Sequence, residues 1–203
     1  GVIMKTENGG SSWFIQNIPT NGNLSDVFFI DGLIGWITSL NGTVWKTTDG
    51  GDSWSIVFQD ASKFIWSIYF LDNLTGWLAG SNGIIYKSND GGISWEPQIS
   101  NTSTLLYDIV FLNADIGWAC GGNGILLYSD DGGNSWSIEN SSTTSHLTKL
   151  AFTDLNNLWA CGSLTTIIHT DNGGAVGMNE EIIMNSNSWE IKTYPNPATN
   201  QIT

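Results

Sequence analysis

The stretch KSNDGGISW, residues 87–95, decides the fold. Taken alone it looks like a site: a carboxylate, two glycines, a tryptophan and several hydroxyls could hold a cation, cradle a phosphate or present a catalytic acid. The rest of the chain resolves the question, because it contains the stretch again and again. KTENGGSSW begins at Lys5, KTTDGGDSW at Lys46 and YSDDGGNSW at Tyr128, and a degenerate copy, HTDNGGAVG, begins at His169. Every interval is 41 residues. A second motif keeps the same beat, as GLIGWITS, NLTGWLAG, ADIGWACG and LNNLWACG, with its tryptophans at Trp36, Trp77, Trp118 and Trp159. Two independent motifs at one period identify internal repeats.

Within a period the pattern is that of strands. LSDVFFID, KFIWSIYFLD, LLYDIVFLN and HLTKLAFTD are β-branched and aromatic runs closed by Asp or Asn. A short GWITS-type strand follows, then GTVWKTT, GIIYKSN, GILLYSD or TTIIHTD, then SWSIVF, SWEPQI or SWSIEN. Four short strands per repeat, parted by turn residues and without helical periodicity, predict an all-β chain. Its architecture is a β-propeller of four-stranded antiparallel blades with a 41-residue repeat. Residues 1–174 form the blades: a third and fourth strand in 1–17, full blades at about 24–58, 65–99 and 105–139, and three strands in 147–174. This tally reads as a fragment of a larger propeller. Residues 175–190 read as a linker and 191–203 as the start of another domain.

The opening stretch is then the turn between the third and fourth strands. Its spacing appears as Thr47, Asp49, Gly51, Trp54, as Ser88, Asp90, Gly92, Trp95, and as Ser129, Asp131, Gly133, Trp136. Asp accepts hydrogen bonds from backbone N–H groups just ahead of it and closes a turn. Paired glycines permit positive φ, and the Trp folds back as an apolar plug. Asn8 fills the Asp place in the first copy without a charge, which argues for a structural turn rather than a metal site. No metal or cofactor is expected anywhere in the chain.

The six basic residues are all Lys, set against nineteen acids, for a net charge of −13. Such a chain repels phosphate backbones, so nucleic acid is excluded as a partner. No run of about eighteen apolar residues exists to span a membrane. Cys120 and Cys161 share the setting WACG, where other repeats hold Thr38 and Ala79; this is a slot for a small side chain, and buried free thiols are expected. GGNG at 121–124 reads as a strand connection, since LNG and SNG recur in its place.

The turns resemble the Asp-box, or BNR, repeat of sialidases and related propellers. The longer unit GWLAGSNGIIYKSNDGGISW is similar to the repeat of photosystem II stability/assembly factor-like propellers. That resemblance covers residues 1 to about 174 and implies that the Asp-box turns lie on the face opposite the ligand site. TYPNPATN, residues 193–200, with Pro195 and Pro197, resembles the opening of the C-terminal sorting domain of type IX secretion substrates. It implies engagement of that secretion machinery and a place outside a Gram-negative cell, released or held at the outer surface.

Three function classes compete. A sialidase grips its substrate carboxylate with three arginines, and this chain has none. An extracellular glycoside hydrolase of the Asp-box type needs two facing carboxylates; Asp60, Asp108 and Asp26 are the available acids, read more simply as strand-end and turn residues. His146 and His169 sit at different blade positions, and His169 aligns with Lys46, Lys87 and Tyr128 as a strand residue. Trp45 aligns with Tyr86, Leu127 and Ile168 and belongs to the core. The reading carried forward is a secreted or cell-surface, non-catalytic scaffold binding glycan or extracellular protein. Its candidate ligand residues are Trp66 and Tyr107, which stand where other blades hold Ser25 and Thr148, with Asp60 and Lys63 in the flanking loop.

Overall fold

The structure, a computed structural model, describes residues 1–170 except 17, 19 and 21, and the backbone of residues 180–183. A two-stranded sheet, β1 (Ile3–Lys5) and β2 (Phe14–Gln16), precedes four antiparallel sheets of four strands each. The first blade is β3 (Leu24–Phe29), β4 (Gly35–Ser39), β5 (Thr43–Thr47) and β6 (Ser55–Gln59). The second is β7 (Ile65–Phe70), β8 (Gly76–Gly80), β9 (Ile85–Ser88) and β10 (Glu96–Gln98). The third is β11 (Leu106–Phe111), β12 (Gly117–Gly121), β13 (Leu126–Ser129) and β14 (Ser137–Glu139). The fourth is β15 (Leu147–Phe152), β16 (Leu158–Gly162), β17 (Thr166–Thr170) and β18 (Glu180–Ile183). Each sheet runs in chain order, the meander of a propeller blade.

Within residues 175–190, expected from the sequence to be a linker, the backbone is described for 180–183, where Glu180–Ile183 pairs with β17, His169 opposite Glu180 and Thr166 opposite Ile183. The outer edge of β17 offers unpaired N–H and C=O groups, and a strand that satisfies them completes the sheet. The sorting-domain reading of 191–203 lies outside the described residues.

Blades pack through their second strands. GWITS, GWLAG and GWACG are buried at every position, because each lies between two neighbouring sheets. Trp36 stacks on Phe70 of the next blade at 3.6 Å, and Trp77 on Phe111 at 3.5 Å. The Asp-box Trp of that same blade closes the sandwich edge-on: Trp95 against Phe70 at 5.9 Å and Trp136 against Phe111 at 5.8 Å. Rings of this size dominate core energetics, and edge-to-face pairs add about 0.5–1.5 kcal/mol beyond area. Trp45 is buried among Ile37, Trp54 and the partly buried Ile3, Ile18 and Leu24.

Cys120 is buried, its Sγ 3.4 Å from the Leu147 carbonyl of the following blade. Cys161 is exposed, against expectation. It occupies the same slot in the fourth blade, where no following blade is described to cover it.

Candidate functional site: the rim of the inner strands

The two ends of every blade are built differently. At one end the third-to-fourth-strand turn closes on itself. Asp90 Oδ1 accepts from the Ser94 and Ile93 amides, and its Oδ2 from the Ser94 hydroxyl. Ser88 Oγ donates to Asp90 and accepts from the Gly92 amide. Asp49 and Asp131 repeat the arrangement with Thr47 and Ser53, and with Ser129 and Ser135. Asn8 makes it without charge, accepting from the Ser12 amide and donating to its hydroxyl. Gly91 and Gly92 both have positive φ, and a Cβ on Gly91 would sit 2.8 Å from the Asn73 carbonyl. Hydrogen bonds from Ser53 and Thr47 hold the Asp49 carboxyl at about 2, and those from Ser94 and Ser88 hold Asp90 at about 2. All oxygens of these carboxylates are engaged with their own loop.

The other end of the blade is the rim where inner strands begin. Here each inner strand carries a bulge against its neighbour, between Leu24 and Asp26, Ile65 and Ser67, Leu106 and Asp108, and Leu147 and Lys149. The bulged residues are Ser25, Trp66, Tyr107 and Thr148. A bulge re-aims side chains and interrupts the ladder. Trp66 and Tyr107, both half-buried, meet edge to face at 5.2 Å, and Tyr107 meets His146 of the next blade at 6.1 Å. His146 Nδ1 accepts from the Asn123 amide at 3.0 Å, which leaves the ring's donor on Nε2. Phe64, one turn of the strand before Trp66, is 57% exposed. Three consecutive blades thus contribute to one aromatic row.

Behind the row runs a polar one. Asp26, Ser67, Asp108 and Lys149 occupy the same place in successive blades. Asp26 Oδ2 accepts from the Ile68 amide at 3.0 Å and Asp108 Oδ2 from the Leu150 amide at 2.8 Å, so each carboxylate fastens its strand to the next. The Ser67 hydroxyl stands between them, 3.1 Å from Asp26 Oδ2 and 2.9 Å from Asp108 Oδ1. Lys149 Nζ pairs with Asp108 Oδ1 at 2.9 Å. Burial pushes the Asp26 carboxyl up, against its backbone hydrogen bonds. Burial pulls Lys149 down, but the Asp108 charge and hydrogen bond outweigh it and leave its pKa raised.

The other sequence-derived candidates engage their own loop or strand pair. Asp60 caps its own loop, accepting from the Ser62 amide and hydroxyl, and that hydroxyl chiefly lowers its pKa. Lys63 is held in the same loop through its amide, bonded to the Asp60 carbonyl. His169 stacks on Trp159 at 4.0 Å and lies 3.1 Å from Asn157 Oδ1, inside its strand pair. His146, read from sequence as unremarkable, is the residue that extends the row; it aligns with Asn23, Phe64 and Leu105, a register that marks it as a rim position. Among the described residues no three His, Cys, Asp or Glu side chains converge as a metal site would require, and no helix is long and apolar enough to cross a membrane.

Comparison with known proteins agrees with the repeat. The family described as Photosynthesis system II assembly factor YCF48 matches at residues 5–100, 53–138 and 97–169. Among solved structures, YCF48 bound to D1 peptide superposes with a TM-score of 0.68 and 22% identity, over 84% of this chain and 56% of that one. YCF48 from Cyanidioschyzon merolae gives 0.64 and 18%, over 80% and 57%. An ancestral GH74 enzyme gives 0.70 and 21%, over 88% of this chain and 28% of that one. At these identities the likeness is one of fold. The chain spans a little over half the length of the YCF48 structures it matches. No curated protein matches it.

Proposed function

Because the chain belongs to the Photosynthesis system II assembly factor YCF48 family, we propose that it is a non-catalytic propeller scaffold whose inner-strand rim binds an extended segment of another protein. The observation that carries this reading is the row Trp66, Tyr107 and His146, drawn from three blades, with the first two set by bulges. The bulge position is small and polar in the first and fourth blades, so the rings are not needed to make a blade. Half-exposed aromatic rings with O–H and N–H donors at their edges suit a peptide, giving apolar area and hydrogen bonds together. A family member's structure with a bound peptide supports a protein ligand over a sugar. Stacking on glycan rings is the second form of the same reading. The secreted or outer-surface location, in a Gram-negative bacterium, rests on TYPNPATN alone.

The alternative is an extracellular glycoside hydrolase, and the GH74 likeness supports it. It requires two carboxylates open to one substrate. Asp108 is buried against Lys149 and the Leu150 amide, and Asp60 is engaged in its own turn, which weighs against it.

The test is to pass the chain over an immobilised array of random peptides and a panel of polysaccharides, following retention and new reducing ends. Retention on peptides that falls tenfold or more in Trp66→Ala and Tyr107→Ala is expected. Retention unchanged in both variants would remove the rim as the site, and new reducing ends would replace the scaffold reading with the hydrolase.

A further inference from the structure

The polar row behind the aromatic one is short of a proton. Ser67 Oγ lies 3.1 Å from Asp26 Oδ2 and 2.9 Å from Asp108 Oδ1, and a hydroxyl has one hydrogen to donate. With both acids ionised, one of the two contacts sets a hydroxyl lone pair against a carboxylate oxygen. Ser67 is 2% exposed and Asp108 1%, so burial keeps bulk water from relieving the conflict. One added proton repairs the count.

That proton belongs on Asp26. Asp108 has the Lys149 ammonium at 2.9 Å as counter-charge, and its Oδ2 takes the Leu150 amide. Asp26 is served by the Val27 and Ile68 amides, at 2.9 and 3.0 Å, and by the shared hydroxyl. Desolvation by burial pushes the Asp26 carboxyl up, in the same direction. The titratable groups that face the row are Asp108 from β11, Lys149 from β15 and Cys120 from β12, with Cys161 of β16 acting on Cys120. Burial pushes the Cys120 thiol well up, so it adds no charge. Ser67 and Asp108 directly follow Trp66 and Tyr107 in the bulges. A bulge interrupts the ladder, so the row holds the strand where the ladder does not.

We propose that Asp26, Ser67 and Asp108 form a proton-set latch across the first three blades, which fixes the bulges that carry Trp66 and Tyr107. In the closed state Asp26 Oδ2–H donates to Ser67 Oγ, and the Ser67 hydroxyl donates to Asp108 Oδ1, which Lys149 Nζ also reaches. As pH rises, the O–H bond of Asp26 breaks and its proton passes to solvent water. The Ser67 hydroxyl then turns its own hydrogen to Asp26, and the link to Asp108 opens. The bonds from the Ile68 and Leu150 amides persist in both states, so the blades stay joined while the bulges loosen. The latch regulates the rim, and its effect on a ligand rests on the peptide-binding reading above. A closed latch presets the aromatic row, and binding weakens as the latch opens.

A nuclear magnetic resonance titration of the 203-residue chain, with labelled aspartate carboxyls and fluorotryptophan, tests the latch. Trp66 is identified by the resonance lost in Trp66→Phe. Asp26 is expected to titrate above the ordinary carboxyl range, with Asp108 and Trp66 moving at the same midpoint. Ser67→Ala should leave Asp26 titrating and remove its echo at Asp108. Asp26→Asn should abolish that movement of Trp66 and leave any effect of His146, which touches Tyr107. If Asp26→Asn does not fold, the unsubstituted chain and Ser67→Ala decide alone. Retention on the peptide array should fall about threefold from about pH 5 to about pH 8, the equivalent of a half-unit change in the Asp26 titration on binding. Asp26 titrating in the ordinary range, Asp108 unmoved at its midpoint, or an echo that survives Ser67→Ala would each overturn the latch. Retention indifferent to pH while Trp66 moves would uphold the latch and strike the rim as the binding site.

Discussion

The two ends of a blade teach different things. At the turn end, Thr47 to Trp54, Ser88 to Trp95 and Ser129 to Trp136 repeat the same hydrogen bonds to within a few tenths of an ångström. At the rim end the backbone repeats equally well, with one bulge per inner strand, but the bulged side chain is Ser, Trp, Tyr or Thr. Sameness at the turn reflects a job that every blade must do. Difference at the rim means the backbone does that job and the side chain is free for another. The turn residues are therefore expected to govern stability and the rim residues binding, and each variant below sets the two against each other.

The largest effect is expected from Trp95→Ala. It removes the ring that closes the Trp36–Phe70 sandwich and leaves a cavity between two blades. A loss of about 3–5 kcal/mol is expected in urea unfolding, with rim binding unchanged in whatever fraction stays folded. Ser88→Ala comes next. It strands the buried Gly92 amide, which has the Ser88 hydroxyl as its acceptor, and should cost about 1–3 kcal/mol. Trp66→Ala reverses the balance. It forfeits an edge-to-face pair with Tyr107, about 1 kcal/mol of stability, and with it most of the binding. A Trp66→Ala variant as unstable as Trp95→Ala would make the rim aromatics a packing device and end the distinction.

The blades were legible in the sequence because a repeated contact leaves a repeated residue. Trp36, Trp77 and Trp118 announce second strands, and Ser88 with Asp90, Gly92 and Trp95 announces the turn that follows the third. The rim was legible only in part. Trp66 and Tyr107 stood out as departures from the repeat, yet nothing local marks a bulge, which is a register slip between two strands and exists only once they pair. His146 was missed for a related reason: its row neighbour Tyr107 comes from another blade and is offset by two residues within the repeat. Asp108, with Asp60, qualified loosely as a catalytic acid, and Asp26 stood at the place matching Asp108 in the first blade. The partners of Asp26 and Asp108, the Ile68 and Leu150 amides, are backbone groups of the next blade, invisible to any reading of side chains.

The smallest predicted effect is also the one that separates the two ends by sign. Asp49 and Asp90 at the turns are held at about 2, below their ordinary value of 3.8, by hydrogen bonds to the charged form. Groups with a lowered folded-state pKa contribute stability that is present above the unfolded value and lost as pH falls through the folded one. Acidification from about pH 4 to about pH 2 should therefore lower the urea midpoint. Asp26 near the rim is raised by burial, so its contribution is fully present below the ordinary carboxyl range and is lost as pH rises through its higher folded value. The expected profile climbs slightly as pH falls toward 4 and then drops. Asp90→Asn, the residue that Asn8 already uses in the first turn, should flatten the low-pH drop by its share while leaving the climb unchanged. Because Asp90 is open to solvent the change is small, a fraction of the drop, with Asp49 and Asp131 still titrating. If Asp90→Asn altered the climb instead, the turn and rim acids would be coupled through the blade, and the division of labour between its two ends would fail at its most basic point.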